Sequence, residues 1–458
     1  MTEVHDLAAF VDGARLDQLS AEALDQLKIR VLDTIGVAIG ALDAEPLVAI
    51  RGLLDDLGGS PASTLIGGGR TSPDRAAFYN SALSRYLDFM DSYLAKGETN
   101  HPSDNFGAVL ACAESVGASG ADLLTAFAVA YQVHTRLSDE APVRAKGFDH
   151  TTQGSYAAAA GAAKALGLNR DRIAHAISIA GTANNALRVT RTGNLSHWKG
   201  LAYPQVSKEG TFAALLASRG ITGPEEVFEG NKGFKESIAG PFRIDWPAED
   251  LESVRRTIIK KHNAEIHSQS ALDAAIDIRS RHGFDATLIE TVHLTTFDVA
   301  YSIIGGGEEG DKRMIRTKEE ADHSLPWMLA VALLDGEVTP KQYAPERIVA
   351  DDVQHLMRRV EIVPDQGFSD RFPAEMPADL RIIQSDGRSF IAEHNAYEGF
   401  HTQPLTWERA IEKFEDLVVP FTTPELCEEL VQIVQSLDGR PTASLTAALA
   451  RVSPTRLH

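Results

Sequence analysis

Residues 121–137 read ADLLTAFAVAYQVHTRL, and apolar side chains cover almost every face of the helix they would form. A helix that is apolar all round is buried in a protein core. On its N-terminal side, 24–39 carries a wide apolar stripe at helical spacing. On its C-terminal side, 154–166 (GSYAAAAGAAKAL) is rich in small side chains that let helices approach closely. The first 245 residues therefore predict a helical domain.

Other segments of this region repeat the pattern of a helix followed by a short polar or Gly/Pro turn. The additional helices are predicted at 76–87, 106–116 and 170–181. Asn169 is expected to cap the last of these, because its side chain accepts hydrogen bonds from the first turn of a helix.

The pattern changes after about residue 270. Alternating β-branched and polar residues predict strands at 289–304, 360–365 and 380–397, the last folded into a hairpin at Ser-Asp-Gly-Arg, 385–388. Helices are predicted between them at 268–281 and 323–334, and again at the end at 406–418, 424–437 and 443–451. The fold class is therefore mainly α with an α+β part. We predict a discontinuous helical domain of residues 1–267 and 400–458, and an α+β domain of residues 268–399.

The chain has 458 residues, 44 Lys and Arg against 64 Asp and Glu, and a formal charge of −20. That excess of acid argues against binding to nucleic acid and to anionic membranes. Cys112 and Cys427 are the two cysteines. They are too few for a disulfide framework, a usual iron–sulfur cluster or a four-cysteine zinc site, and we expect both to be buried. The sequence shows no secretory signal and no membrane span, so a cytoplasmic location is expected, with an organelle matrix as the alternative.

Positive charge is concentrated in one segment. Residues 188–208 contain Arg188, Arg191, Lys199 and Lys208 and no acid. Such a segment in an acidic chain indicates a pocket for a small polyanion. The alternative is a solvated face whose charges pair with distant acids.

Histidines in polar loops form a second group of candidates. His101 lies in GETNHPSDN, His150 in GFDHTTQGS, and His267 follows a pair of lysines in KKHNAEIHS. Loop histidines beside Gly, Pro, Asp and Thr are often functional. His134, on the apolar helix, is instead expected to be a core residue.

Metal and phosphate sites are the alternatives. Asp88, Asp91 and His101 are candidate metal ligands, but the sequence has no HExxH motif. The glycines at 67–69 and 305–307 lack phosphate-loop spacing and predict turns. We therefore expect no metal and no cofactor. Lysine, arginine and histidine alone suit proton removal beside a carboxylate, because nearby cations stabilise the carbanion. The reactions of this class are β-elimination of water, epimerisation and decarboxylation of di- or tricarboxylates.

Six segments resemble motifs of the MmgE/PrpD family, in order and nearly end to end. They are RYLDFMDSYLAKGETNHPSDN (85–105), KGFDHTTQGSYAAAAGAAKALGL (146–168), ANNALRVTRTGNLSHWKG (183–200), FEGNKGF (228–234), KKHNAEIHSQ (260–269) and ADHSLPW (321–327). The resemblance implies a large all-α domain completed by C-terminal helices, a smaller α+β lid, a homodimer and chemistry without metal or cluster. Members include 2-methylcitrate dehydratase, cis-aconitate decarboxylase and iminodisuccinate epimerase. The strings at 101–105 and 187–200 look most like the 2-methylcitrate dehydratase branch.

The resemblance also implies site residues. The catalytic set is Asp91, His101, His150, Lys199, Lys260 and Tyr301, with Asp91 orienting His101. The candidate substrate-binding set is Arg188, Arg191, Lys261 and His267, in which the arginines would clamp carboxylates. The expected partner is a small di- or tricarboxylate. The expected reaction is loss of water from 2-methylcitrate to give 2-methyl-cis-aconitate.

One position departs from the family. His262 and Asn263 stand where the family often has an aromatic residue and a proline, so either Lys260 or Lys261 could point inward. Two other functions stay open: another reaction of the family, and a non-catalytic helical protein that has kept the fold.

Overall fold

The computed structural model describes residues 2–193 and 195–457, and helices dominate them. The helices are α1 Glu3–Gly13, α2 Ala21–Gly40, α3 Glu45–Leu57, α4 Pro73–Tyr86, α5 Phe106–Ser115, α6 Gly120–Glu140, α7 Thr151–Ala165, α8 Arg170–Ala183, α9 Trp198–Ser218, α10 Gln269–His282, α11 Asp298–Ile304, α12 Lys318–Ala321, α13 Leu325–Asp335, α14 Pro345–Ile348, α15 Asp351–Met357, α16 Gln366–Arg371, α17 Trp407–Val418, α18 Pro424–Gln435 and α19 Thr442–Leu449. The strands are β1 Ser63–Thr64, β2 Arg70–Thr71, β3 Tyr93–Leu94, β4 Thr99–Asn100, β5 Ile289–Thr296, β6 Val360–Pro364, β7 Ala378–Gln384 and β8 Ser389–His394.

The described residues form two compact units. The first contains the chain up to Thr190, Gly200–Ile258 and the chain from Leu405 onward, and the second contains Arg191–Lys199 and Ile259–Pro404. The predicted boundaries, after residues 267 and 399, differ from these. The main-chain N–H of Ile259 donates to Gly399 O, and Tyr343 Oη donates to Asn263 O, which ties the segment from Ile259 onward to the second unit.

The first unit is built around α6 and α7. Every residue from Leu123 to Thr135 is buried, as the apolar stretch predicts. Ser119 begins this helix with a capping box, in which its Oγ accepts from the Asp122 N–H. The small residues of α7 allow close packing: a Cβ at Gly161 would lie 2.8 Å from Val109 Cγ2 and 2.9 Å from Ala130 Cβ. Helices α17, α18 and α19, from the end of the chain, belong to the same unit and pack on α2 and α5.

The local predictions for this unit are confirmed. The helices predicted at 76–87, 106–116 and 170–181 correspond to α4, α5 and α8, and Asn169 Oδ1 accepts from the Arg172 N–H as the cap of α8. Cys112 and Cys427 are buried, and burial raises the pKa of their thiols to about 12 and about 11. Among the described residues, no helix has the length and apolar character needed to cross a membrane.

The second unit has a four-stranded sheet in the order β6-β5-β7-β8. Strands β5 and β6 are parallel, whereas β5 with β7 and β7 with β8 are antiparallel. Val292 and Leu294 on β5, with Leu380 and Ile382 on β7, form its buried face, and α10 packs against the sheet. The predicted hairpin over 380–397 is confirmed.

The strand predicted over 289–304 is too long. Strand β5 ends at Thr296, and α11 begins at Asp298. The buried residues Ala300, Ile303 and Ile304 follow the i, i+3, i+4 spacing of one helix face, so the second half of the segment is helical.

Candidate active site

His101 is held through its ring nitrogen Nδ1. It directly precedes a short 3-10 helix, Pro102–Asn105, that leads into α5. Nδ1 lies 2.8 Å from the main-chain oxygen of Asp91 and 3.0 Å from Ser92 Oγ. A carbonyl oxygen can only accept, so Nδ1 carries the hydrogen in the neutral ring and Nε2 carries the lone pair. Nε2 is therefore the atom with which His101 would accept a proton.

Asp91 orients His101 through its main chain. Its carboxylate is held by other groups: Oδ1 accepts from the N–H and Oγ of Ser103, at 3.1 and 2.6 Å, and Oδ2 accepts from Tyr131 Oη at 2.7 Å. Burial raises the pKa of Asp91, and the hydrogen bonds from Ser103 and Tyr131 offset part of this rise. The main-chain carbonyl of Asp91 thus has the expected role of orienting His101, while the carboxylate of Asp91 stabilises the segment that contains His101.

His150 lies at the N-terminus of α7, next to Asp149. Its Nδ1 is 3.4 Å from Asp149 Oδ1, and its ring centroid is 5.6 Å from that of His101, with the planes at 72°. Arg188 belongs to the same unit, and its NH1 lies 3.9 Å from Asp149 Oδ2. Both imidazoles are buried, at 6% and 4% exposure, so water competes little for their nitrogens.

Behind the two histidines lies a buried polar network that was not predicted. Tyr203 Oη donates to Asn105 Oδ1 at 2.9 Å, and Asn105 Nδ2 lies 3.5 Å from His134 Nδ1. The Tyr203 ring stacks against His150 with centroids 6.4 Å apart. His134 is fully buried, as expected for a core residue, and burial lowers its pKa to about 3, so it is neutral.

In the second unit, Lys199 meets a carboxylate and an imidazole. Its Nζ lies 2.7 Å from Asp322 Oδ1 and 2.9 Å from His323 Nδ1. Lys318 Nζ donates to the other oxygen of Asp322 at 2.6 Å. Burial opposes ionisation of Asp322, but the two lysines outweigh it and lower the pKa of this carboxyl. Arg191 is buried with them, and its NH1 donates to the Lys199 main-chain oxygen at 3.0 Å.

Glu265, His267 and Lys260 form the neighbouring part of this unit. His267 Nδ1 lies 2.7 Å from Glu265 Oε1, and the Glu265 N–H donates to Asp322 O. Burial alone would raise the pKa of Glu265, but His267, and then His323 and Lys260, lower it to about 2. Lys260 is 1% exposed. Glu265 is thus a carboxylate beside the buried Lys260 and His267.

The adjacent lysine points elsewhere. Lys261 Nζ lies 2.8 Å from Asp273 Oδ1, which also contacts His262 Nε2 at 2.7 Å. The structure therefore places Lys260, and not Lys261, beside Glu265. Tyr301 lies half-buried on α11, against the apolar core of the second unit.

The predicted residues thus fall into two groups, one in each unit. The first unit brings together Asp91, His101, His150 and Arg188, and the second brings together Lys199, Arg191, Lys260 and His267. Of the candidate metal ligands, Asp88 pairs with Arg85 at 2.7 Å and Asp91 bonds to Ser103 and Tyr131.

The sequence contained a signal for two residues that the prediction omitted. Asp322 and His323 lie in the motif ADHSLPW, which was recognised only as part of the resemblance. The adjacent Asp and His directly before a serine would have justified including both, and the structure shows that this serine caps α13, with Ser324 Oγ accepting from the Trp327 N–H. No sequence pattern assigned a site role to Ser92, Tyr131 or Tyr203.

Comparison with known proteins decides the family. Residues 5–247 match the MmgE/PrpD N-terminal domain and residues 262–439 match the MmgE/PrpD C-terminal domain. The chain belongs to the MmgE/PrpD family. The two matched ranges together contain both groups of candidate residues except Lys260, which lies between them.

This MmgE/PrpD chain is similar to relatives of two kinds, 2-methylcitrate dehydratases and cis-aconitate decarboxylases. The 2-methylcitrate dehydratase of Escherichia coli strain K12 is 29% identical over 398 residues, which is 80% of this chain and 78% of the relative. The mitochondrial 2-methylcitrate dehydratase of Yarrowia lipolytica is 26% identical over 81% of this chain and 74% of its own. The cis-aconitate decarboxylase of Homo sapiens is 27% identical over 98% of this chain and 94% of its own.

The Glu265–His267 pair predicts a pH-dependent stability. A carboxyl with a pKa of about 2 in the folded chain and about 4.5 in the unfolded chain stabilises the fold above pH 4.5 and loses that contribution as the pH falls towards 2. We expect Glu265→Gln to cost about 3 kcal/mol at pH 7 and about 1 kcal/mol at pH 3. Urea unfolding at the two pH values measures the difference.

The matched control is Glu361→Gln. Glu361 pairs with His293 at 3.0 Å in the same unit, but its side chain is 60% exposed. Its replacement should change stability by less than about 1 kcal/mol at either pH. Equal effects of the two substitutions at pH 7 and pH 3 would contradict the assignment of the pKa shift to Glu265.

Proposed function

We propose that this chain is a hydro-lyase that removes water from 2-methylcitrate, or from a close tricarboxylate, to form 2-methyl-cis-aconitate. The observation that carries the proposal is the His101–His150 pair, two buried imidazoles 5.6 Å apart, with the hydrogen of His101 committed to a carbonyl at Nδ1. This arrangement leaves a lone pair at Nε2 to accept a proton. The 2-methylcitrate dehydratases among its relatives support the choice of substrate class.

The chemical steps follow from the groups present. An imidazole removes the proton from the carbon that bears a carboxylate, and negative charge then builds on that carboxylate. Buried cations stabilise this charge more in the transition state than in the bound acid. Arg188, Arg191, Lys199 and Lys260 are the cations that we assign to the carboxylates of the substrate. Protonation of the departing hydroxyl breaks the C–O bond and releases water.

A second function is favoured by one specific observation. The human cis-aconitate decarboxylase aligns with 98% of this chain, compared with 80% for the E. coli 2-methylcitrate dehydratase. The same cations and imidazoles would serve decarboxylation: the C–C bond to a carboxylate breaks, carbon dioxide leaves, and an imidazole returns a proton to the carbon. The homodimer and the cytoplasmic location stay predictions.

A substrate panel tests the proposal. The purified chain is incubated with 2-methylcitrate, citrate, cis-aconitate and iminodisuccinate, and the products are followed by ultraviolet absorbance of the conjugated acid and by carbon dioxide release. We expect 2-methylcitrate to gain absorbance without carbon dioxide. Carbon dioxide release from cis-aconitate would support the second function instead, and turnover of none of the four would contradict both.

A further inference from the structure

Tyr203, on α9, connects the two segments that carry the candidate imidazoles of the first unit. Its side chain is fully buried, and its Oη lies 2.9 Å from Asn105 Oδ1 and 3.4 Å from Gly154 O. Asn105 ends the 3-10 helix that follows His101, and Gly154 lies one turn after His150 on α7. One phenol side chain therefore contacts both segments.

The hydrogen bond between Tyr203 and Asn105 has a defined direction. Asn105 Nδ2 lies 2.9 Å from Pro102 O, which can only accept, so the amide nitrogen faces Pro102 and Oδ1 faces the phenol. The Tyr203 hydroxyl therefore donates its single hydrogen to Oδ1. Without this donor, the buried Oδ1 would have no hydrogen-bond partner among the described residues, and a buried acceptor without a partner is unfavourable. The hydroxyl thus fixes the turn that directly follows His101.

The ring of Tyr203 approaches α7 closely because residue 154 is a glycine. A Cβ atom at Gly154 would lie 2.4 Å from Tyr203 Cε2, which is much closer than non-bonded carbon atoms pack. The Gly154 N–H donates to His150 O at 3.1 Å, so this contact lies next to the first turn of α7. The Tyr203 and His150 rings are nearly parallel, with their planes at 24° and their centroids 6.4 Å apart. The ring thus supports the position of His150.

Burial prevents Tyr203 from taking part in proton transfer itself. It raises the pKa of the phenol well above its ordinary value, and the nearby Asp104 carboxyl raises this pKa further. The phenol is therefore neutral throughout the pH range in which an imidazole titrates. His134, whose ring centroid lies 5.6 Å from that of Tyr203, is also neutral, because burial lowers its pKa to about 3. These two side chains can hold the neighbouring imidazoles in place without exchanging protons with them.

We propose that Tyr203 is a positioning residue that fixes the separation and orientation of His101 and His150. The inference rests on the proposed function and deepens it, since an imidazole of this pair removes the proton in that proposal. A misplacement of about 1 Å at a reacting group can lower a rate by roughly 100-fold. Loss of the Tyr203 hydroxyl should therefore lower kcat, while the binding of the substrate carboxylates by the assigned cations is retained.

The substitution Tyr203→Phe removes only the hydroxyl. We expect kcat for 2-methylcitrate to fall by roughly 10- to 30-fold and KM to stay within about threefold. The matched control is Tyr156→Phe, because Tyr156 is a fully buried tyrosine on α7 whose hydroxyl has no hydrogen-bond partner among the described residues. Its kcat should stay within about twofold of the original value. An unchanged kcat in Tyr203→Phe would overturn the proposal.

A double-variant cycle tests whether the hydroxyl acts through Asn105. Asn105→Ala has no Oδ1 to accept the hydrogen bond, so in this background Tyr203→Phe should lower kcat by less than about threefold. If Tyr203→Phe instead lowers kcat by the same factor in both backgrounds, the hydroxyl does not act through Asn105, and the proposed positioning of His101 is wrong.

Hydrogen exchange at His101 provides a measurement that needs no activity. The Nδ1 hydrogen of His101 is donated to Asp91 O, and in the full-length chain labelled with 15N-histidine its signal is identified by its disappearance in His101→Asn. We expect Tyr203→Phe to accelerate exchange of this hydrogen with solvent by about tenfold or more, and Tyr156→Phe to leave the rate unchanged. Equal exchange rates in the unmodified chain and in Tyr203→Phe would overturn the proposal.

The outcomes separate this inference from the proposed function. If Tyr203→Phe unfolds at a lower urea concentration but keeps its kcat and its exchange rate at His101, Tyr203 is only a core residue, and the inference fails while the dehydratase function stands. If the unmodified chain turns over no acid of the panel, the proposed function fails. Hydrogen exchange at His101 alone then decides whether Tyr203 positions this residue.

Discussion

Replacement of His101 by asparagine is expected to lower kcat for dehydration of 2-methylcitrate by about a thousandfold. A general base contributes roughly 10²–10⁴-fold to a rate, and asparagine has no titratable group with which to replace it. Asparagine can still donate a hydrogen bond to the Asp91 main-chain oxygen, which accepts from Nδ1 of His101 at 2.8 Å. The substitution therefore removes the Nε2 lone pair while it keeps the anchor. Steady-state kinetics at several pH values measure the effect.

The size of the change in KM distinguishes proton transfer from binding. Loss of a base lowers kcat and kcat/KM together, whereas loss of a carboxylate-binding cation raises KM. We expect KM of His101→Asn to stay within about threefold of the original value. His5→Asn is the control, because the His5 ring, on α1, also bonds through Nδ1, to Thr2 Oγ1 at 2.6 Å. Retention of more than a tenth of the original kcat by His101→Asn would rule out His101 as the base.

The fold could be predicted wherever the information was local. The apolar stretch that forms α6, the small residues of α7 and the Asn169 cap each specify the structure of the segment in which they lie. The prediction of one strand over 289–304 was wrong because it also used only the local sequence pattern. Its β-branched residues favour a strand throughout, and only the burial of Ile303 and Ile304 on one face shows that α11 has replaced the strand.

The candidate site was predictable in its residue types and less so in its contacts. The motifs located His101, His150, Lys199 and Lys260, but the partner of His101 is a main-chain oxygen, which no sequence pattern specifies. The choice between the adjacent lysines 260 and 261 depends on Asp273, several residues further along on α10. Tertiary packing decides both, because each contact joins residues that different elements bring together.

Replacement of Lys413 by methionine is expected to destabilise the first unit by about 3–5 kcal/mol, since removal of one partner of a buried ion pair leaves the other charge without the partner that contacts it. Lys413 Nζ, on α17, lies 2.7 Å from Asp33 Oδ1 on α2, and Asp33 is 3% exposed. The ammonium also donates to Phe89 O and lies 3.8 Å from the centroid of the Phe89 ring. Chemical denaturation at pH 7, followed by circular dichroism, measures the loss.

The pH dependence identifies the cause of that loss. Burial raises the pKa of Asp33, and Lys413 lowers it in part, so removal of the lysine raises this pKa further. A carboxyl whose pKa is raised on folding has little effect on stability at a pH below its unfolded pKa of about 3.8. As the pH rises above that value, it destabilises the folded chain increasingly. The deficit of Lys413→Met should therefore be large at pH 7 and shrink towards pH 4. It should also shrink at pH 7 in the double variant Asp33→Asn/Lys413→Met, which lacks both charges of this ion pair. A deficit that is the same at both pH values and in the double variant would instead assign the stability to the packing of the lysine side chain on Phe89. In either case, the measured loss shows how much the contact between α17 and α2 contributes to the stability of the discontinuous helical unit.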